Sequence, residues 1–89
     1  MKFAWDPAKA EINLLTHGIS FQEATTIFGD PLAGTIPDPD HSVGEERLIT
    51  IGQSTAGNLL VVCHVEHGDN IRIISARRAS AHERSDYEA

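Results

Sequence analysis

The sequence predicts an α+β domain in which two N-terminal helices pack on a mostly antiparallel sheet and a short helix ends the chain. Two observations indicate this class. The first third carries two helix-start signals, whereas the later part alternates short apolar runs with turn-forming residues, as strands of a meander do. With 89 residues, 40% of them apolar and 22% charged, the chain suits a single folded domain spanning residues 1–89.

The chain begins with a predicted strand and a predicted helix. Residues 2–5 alternate in polarity, and the following Asp6 and Pro7 are suited to the cap and first turn of a helix. Gly18 is a natural end for this helix. Its spacing of apolar residues predicts one buried stripe, formed by Ala8, Ile12 and Leu15.

A second helix is predicted to start at Ser20. Ser20 and Glu23 have the spacing of a capping box, in which each side chain bonds the backbone of the other residue. The apolar face of this helix is expected to consist of Phe21, Ala24, Ile27 and Phe28. Residues 29–31, Gly-Asp-Pro, end it.

The remaining chain reads as strands followed by a helix. Strands are predicted at residues 32–36, 47–53, 59–66 and 71–77, and the last three are joined by short turns into an antiparallel meander. The sequence Ser80-Ala81-His82-Glu83 is a second capping box, so a terminal helix should run from Ser80 toward Tyr87.

The charge distribution is uneven. Residues 1–70 carry 3 positive and 10 negative charges, whereas four of the five arginines lie within residues 72–84 of a chain with net charge −6. The acidic balance argues against broad, non-specific binding to nucleic acid or anionic membrane, but a local basic site is compatible with it. A single cysteine, Cys63, within an apolar run reads as a small buried hydrophobe, and we expect a cytoplasmic protein without a secretory signal or membrane span.

Arg77 and Arg78 directly precede the terminal helix. Two arginines beside a helix N-terminus can hold a phosphate by forked, charge-assisted hydrogen bonds. The alternative is that they form surface salt bridges with Glu45, Glu46, Glu83 or Asp86. Strict alternation along the last strand would put Ile71, Ile73, Ser75 and Arg77 on one face and Arg72, Ile74, Ala76 and Arg78 on the other. We expect the strand to end before Arg78, so that both guanidiniums gather on one side.

Other polar residues admit two interpretations. The loop PDPDHSVGEE supplies Asp38, Asp40, His41, Glu45 and Glu46, but their spacing matches no known metal motif, so a solvated loop is favoured and no metal or cofactor is expected. His41 is a possible proton donor or acceptor. His64, on an apolar strand, is more often a structural histidine than a ligand, and hairpin closure would bring it and Glu66 near Arg72.

Three segments of the chain resemble the BrnT family of bacterial toxins from type II toxin-antitoxin modules. The matching segments are FAWDPAKAEINLLTHGISFQEA, DHSVGEERLITIGQS and LLVVCHVEHGDNIRIISARRASAHERSDYE, which together cover most of the chain. The resemblance implies a RelE-like fold and an endoribonuclease that cuts RNA without metal and so inhibits translation. It also implies a BrnA-type antitoxin with a ribbon-helix-helix part, through which alone the complex would bind promoter DNA.

The resemblance also suggests roles for individual residues. RNA cleavage by its own 2′-hydroxyl needs a base, an acid, and cations that stabilise the transition state. Arg77 and Arg78 match the family's paired arginines and are expected to stabilise the phosphate, with Arg72 and Arg47 as helpers. For proton transfer we consider His64, Glu66 and His41, in that order, followed by Glu83 and Tyr87.

The chain lacks several basic residues that many relatives carry. Thr16 replaces a lysine and His67 replaces an arginine of the family pattern. Because fewer cations attract RNA less strongly, the alternative function is a catalytically weak binding module that acts as co-repressor with its antitoxin. In a third interpretation, Arg77 and Arg78 serve only the structure.

Overall fold

The computed structural model describes residues 1–38 and 45–89 and has the predicted α+β class. Its elements in chain order are β1 (Lys2–Trp5), α1 (Pro7–His17), α2 (Phe21–Thr25), a turn of 3-10 helix (Thr26–Gly29), β2 (Gly34–Pro37), β3 (Leu48–Gln53), β4 (Leu59–His67), β5 (Asn70–Arg78) and α3 (Ala81–Glu88). The five strands form one sheet in the order β1-β5-β4-β3-β2. All neighbouring strands are antiparallel except β1 and β5, which are parallel, so the predicted meander of β3, β4 and β5 is confirmed.

The helix caps follow the sequence signals with one exception. The Asp6 side chain accepts the Ala8 N–H at 2.9 Å, and Gly18 ends α1 with φ of 70°, a conformation that favours glycine. At α3 the complete capping box of Ser80 and Glu83 is present.

The exception is the predicted capping box of α2, which forms on one side only. Ser20 Oγ accepts the Glu23 N–H at 3.0 Å, as expected. The Glu23 carboxylate instead accepts hydrogen bonds from Ser54 Oγ at 2.7 Å and Asn58 Nδ2 at 2.8 Å. Glu23 therefore ties α2 to the turn between β3 and β4, a long-range contact that a local motif does not reveal.

The core lies between the helices and one face of the sheet, which we call the helix face. The predicted apolar face of α2 belongs to it: Phe21, Ala24 and Ile27 are fully buried, and Phe28 is partly buried. The sheet contributes Leu60, Val62, Ile71, Ile73 and Ala76, and Ile19, Phe3 and Trp5 complete the cluster.

The predicted buried stripe of α1 is wrong. The exposed fractions of Ile12 and Leu15 are 62% and 83%, whereas the polar Asn13 is buried. Asn13 Nδ2 donates to Ile19 O at 2.9 Å and to Ala76 O at 2.8 Å, and Asn13 Oδ1 accepts the Ala76 N–H at 3.0 Å.

Asn13 is buried because β1 is short. Its pairing with β5 ends at Ile73, so the backbone of Ala76 has no strand neighbour on that side. A buried peptide group needs a hydrogen-bond partner, and Asn13 supplies both a donor and an acceptor. Burying the amide face of α1 turns its apolar residues toward solvent.

A β-bulge in β5 breaks the predicted alternation. Cys63 pairs with Ser75 and His64 pairs with Ile73, so Ile74 is the extra residue. Beyond this bulge the faces are exchanged, and Ala76 joins Ile73 in the core. The grouping of Ile73 with Ser75 on one face is therefore wrong, because an inserted residue cannot be read from a pattern that assumes period two.

Candidate active site

The sheet face opposite the helix face carries a groove, which we call the open-face groove. Its volume is about 330 Å³ and its lining includes two arginines, a carboxylate and a thiol. The residues that matter here are Asp38, Arg47, Val61, Cys63, Ser75 and Arg77. The bulge at Ile74 brings Ser75 and Arg77 to this face together, beside Cys63 and Val61 of β4.

Arg77 is held by the first turn of α3. Its Nη1 donates to Glu83 Oε1 at 2.8 Å and its Nη2 donates to Glu83 Oε2 at 2.9 Å. The hydrogen bonds from Arg77, together with the Ser80 backbone N–H, lower the pKa of Glu83 to about 2, and the same carboxylate raises the pKa of Arg77. The salt bridge considered from the sequence is thus present, and the Arg77 side chain as a whole is still 46% exposed.

Arg78 lies away from the open-face groove. Strand β5 continues through Arg78, which pairs with Leu60, so alternation puts its side chain on the helix face. Its Nη1 donates to His17 O, at the C-terminal end of α1, at 3.3 Å. The expectation that the strand ends early and gathers both guanidiniums is wrong, and Arg77 alone of the pair lines the groove.

The two helper arginines share one carboxylate. Arg72 Nη2 lies 3.0 Å from both Glu45 oxygens, and Arg47 Nε lies 3.8 Å from Glu45 Oε1. Arg47 lines the open-face groove with Arg77. Arg72 pairs with Val65 across the hairpin.

His64 is buried in the helix face with no exposed surface. Its Nε2 lies 2.7 Å from Thr50 Oγ1, its ring meets Phe28 edge to face at 5.0 Å, and Nδ1 has no hydrogen-bond partner among the described residues. Burial lowers the pKa of His64. This is the structural histidine that the sequence allowed, and its location does not expose it to a substrate.

The other predicted proton-transfer groups are separated from His64 or lie outside the described residues. Glu66 is exposed near the end of β4. Hairpin closure was expected to bring His64 and Glu66 near Arg72, but Arg72 pairs with Val65, so alternation along β4 places His64 and Glu66 on the opposite face from Arg72. Asp40 and His41 fall in the segment 39–44, outside the described residues. Elsewhere in the described chain, no three His, Cys, Asp or Glu side chains cluster as metal ligands.

Two groove residues were not chosen as catalytic groups from the sequence, because Asp38 was assigned to a solvated loop and Cys63 to the core. The Asp38 side chain is buried, and Cys63 Sγ donates to Asp38 Oδ2 at 3.9 Å. Burial, and secondarily the Asp38 charge, raise the pKa of Cys63, so its thiol stays protonated. Cys63 is half-buried at the groove and not part of the core; the alternation opposite His64 on β4 was the available signal.

No helix among the described residues is long and apolar enough to cross a membrane.

Comparison with known proteins assigns the chain to a family. The family model described as "Ribonuclease toxin, BrnT, of type II toxin-antitoxin system" matches residues 5–83. The crystal structure of the Brucella abortus ribonuclease toxin BrnT is similar, with 26% sequence identity and a TM-score of 0.70 over 90% of this chain and 97% of the Brucella chain. No curated protein matches. The chain belongs to the BrnT family of ribonuclease toxins from type II toxin-antitoxin systems.

Proposed function

We propose that this protein is a RelE-like endoribonuclease that cleaves RNA through the RNA's own 2′-hydroxyl, without a catalytic metal ion. The observation that carries the proposal is the placement of Arg77, with Arg47, in the open-face groove. Family membership supports ribonuclease chemistry, and this groove supplies cations suited to it.

Arg77 has the role of stabilising charge. Attack of the 2′-oxygen on phosphorus builds additional negative charge on the phosphoryl oxygens, and a fixed guanidinium lowers the energy of that state more than it lowers the ground state. Since the Glu83 contact raises the pKa of Arg77, the guanidinium keeps its charge at every physiological pH. Arg47 contributes a second positive charge, and Arg72 serves substrate binding at the edge of this face.

For proton transfer we favour Asp38 over His64, because Asp38, although largely buried, lines the open-face groove, whereas His64 lies in the helix face. Asp38 lines the groove with Arg77, so its carboxylate lies on the side where RNA would bind. A carboxylate can accept the 2′-hydroxyl proton as the bond to phosphorus forms, and the P–O5′ bond breaks as the leaving 5′-oxygen takes a proton from water. The exposed Glu66 and the predicted His41 come next, ahead of Glu83, which holds Arg77, and Tyr87, whose hydroxyl donates to Asp30. Comparing Asp38→Asn with Glu66→Gln separates the first two candidates.

The partner is an antitoxin, as type II toxin-antitoxin membership implies. We propose a BrnA-type antitoxin with a ribbon-helix-helix part, through which the complex binds its promoter. Cleavage of RNA in the cytoplasm would then inhibit translation until the antitoxin blocks the enzyme.

The proposal is tested with purified protein and single-stranded RNA in the presence of a chelator. Wild type should cleave and leave 2′,3′-cyclic phosphate ends, because the 2′-oxygen is the nucleophile. Arg77→Ala should lower the single-turnover rate by about 10² to 10³, as loss of one charge-stabilising donor does. Intact RNA with the folded wild-type protein would refute the proposal.

A second candidate function is a non-catalytic co-repressor. It is favoured by the pairing of both Arg72 and Arg77 with carboxylates, which offsets positive charge in a chain of net charge −6. An acidic protein surface suits a basic partner. Promoter binding by the antitoxin with and without this protein distinguishes the two functions: equal affinity in both cases would exclude the co-repressor.

A further inference from the structure

We propose that Glu83 is a positioning residue that fixes Arg77 by one edge of its guanidinium and leaves the other edge directed at the RNA phosphate. This inference rests on the proposed ribonuclease function. It concerns how α3 serves the open-face groove, although no residue of α3 is buried in the core.

The hydrogen bonds divide the Arg77 guanidinium into two edges. Nη1 uses both of its hydrogens, one toward Glu83 Oε1 and one toward Arg78 O at 3.3 Å. Nη2 gives one hydrogen to Glu83 Oε2. A guanidinium has five N–H donors. The Nε–H and the second Nη2–H, which lie side by side, bond no described residue and can form a bidentate contact with a phosphate.

Glu83 is itself held rigidly. Its Oε1 accepts the Ser80 N–H at 2.8 Å, and its backbone N–H donates to Ser80 Oγ at 3.2 Å. The capping box therefore fixes the carboxylate at the start of α3, and the carboxylate fixes the guanidinium. A preorganised guanidinium loses less side-chain entropy when a phosphate binds than a mobile one does.

This arrangement could in principle hinder RNA by neutralising Arg77. The hydrogen bonds argue against such competition, because Glu83 accepts from Nη1 and Nη2 and accepts no hydrogen bond from Nε. Phosphate and carboxylate can then bind different edges of the same group. Removing Glu83 should reduce catalysis if it positions Arg77, and should increase catalysis if it competes with RNA.

The first test compares the single-turnover cleavage of RNA by wild type, Glu83→Gln and Glu83→Ala, with Glu88→Gln as the matched control on the same helix. We expect the rate constant to fall about 10-fold to 100-fold in both Glu83 variants, as for a misplaced catalytic group, while the half-saturating RNA concentration changes little. Glu88→Gln should behave as wild type. Unchanged or faster cleavage by the Glu83 variants would overturn the inference.

A second test separates positioning from simple loss of helix stability. Added guanidinium ion, at a concentration that does not denature the protein, should restore part of the cleavage activity of Arg77→Ala because Glu83 offers it a binding site. The double variant Arg77→Ala with Glu83→Gln should not be restored. Equal restoration of both variants would overturn the positioning role even if α3 were destabilised.

The inference can fail independently of the proposed function. If wild type cleaves RNA and the Glu83 variants cleave equally well, positioning is wrong and the ribonuclease remains. If wild type does not cleave, the ribonuclease proposal fails. Positioning is then judged with a 2′-O-methyl RNA that cannot be cleaved: an NMR shift of the Arg77 Nε–H on binding, present in wild type and absent in Glu83→Gln, supports it, and no shift overturns it.

Discussion

Arg77 and His64 owe their different roles to the faces on which the strands place them. Arg77 follows the bulge at Ile74 and reaches the open-face groove, where its charge is available to a phosphate. His64 points into the core, where a charged imidazole would be poorly solvated. Both residues are of types that can act in catalysis, but the position of Arg77 favours that role and the position of His64 does not.

His64 should make folding stability depend on pH. Its pKa is lowered in the folded protein, so below the ordinary value of about 6.5 the unfolded chain binds more protons. The His64 contribution is therefore complete above pH 6.5 and is lost as the pH falls below it toward the folded pKa. We expect the unfolding free energy, measured by urea denaturation, to be lower at pH 5.5 than at pH 7.5.

Two variants show whether His64 causes this change. His64→Leu should flatten the pH dependence between 5.5 and 7.5, whereas the exposed His67→Gln should retain it. A wild-type protein with equal stability at both pH values would show that His64 is not held neutral by the core.

Helix α1 is attached to the sheet by an amide and not by an apolar stripe. Asn13→Ala leaves the buried Ala76 N–H and the Ala76 and Ile19 carbonyls without partners, and should lower the unfolding free energy by about 2 to 4 kcal/mol. Leu15→Ala, at a position that is 83% exposed, should change it by less than about 0.5 kcal/mol. Equal losses in both variants would contradict the observed orientation of α1.

Helix α3 depends on the Glu83 carboxylate. Because the pKa of Glu83 falls from 4.5 to about 2 on folding, its stabilising effect is complete above pH 4.5 and is lost as the pH falls toward 2. Glu83→Gln should cost about 1 kcal/mol at pH 7, a value reduced from the full pKa shift because the pair is partly exposed. The difference in unfolding free energy between wild type and Glu83→Gln should disappear as the pH falls from 4.5 to 2. A constant difference would show that the Glu83 charge does not contribute to stability.

At the scale of the whole molecule, local signals predicted the elements better than their contacts. The caps at Asp6 and Ser80 and the turn before β5 follow from residue types that act over a few positions. The parallel pairing of β1 with β5 joins residues about 68 positions apart, such as Lys2 and Asn70, and no local pattern encodes it.

The difference between local signals and long-range contacts also explains where the side chains of the candidate site lie. The sequence predicted that arginines near the end of β5 would matter, but one inserted residue at Ile74 decided which face each side chain occupies. The burial of Asn13 depends on the backbone of Ala76 lacking a strand neighbour, and the hydrogen bond from Ser54 Oγ to Glu23 depends on the position of α2 beside the turn between β3 and β4. These are properties of the assembled sheet.

The overall charge should limit how strongly RNA binds. With net charge −6, and with Arg47 and Arg77 in the lining of the groove and Arg72 at its edge, we expect only about two to three phosphate contacts. For single-stranded RNA this corresponds to a slope of log K against log salt of about −1.4 to −2.1. Fluorescence anisotropy with an uncleavable RNA measures the slope, and a value near −5 would reveal a larger basic surface than the structure shows.

The most direct test of the account compares two neighbouring arginines that the strand places on opposite faces. In single-turnover RNA cleavage, Arg77→Ala should lose about 10²-fold or more in rate, whereas Arg78→Ala should retain activity within a few-fold of wild type. Circular dichroism and thermal unfolding would confirm that both variants are folded. Equal losses, or a greater loss for Arg78→Ala, would contradict the assignment of the open-face groove as the active site.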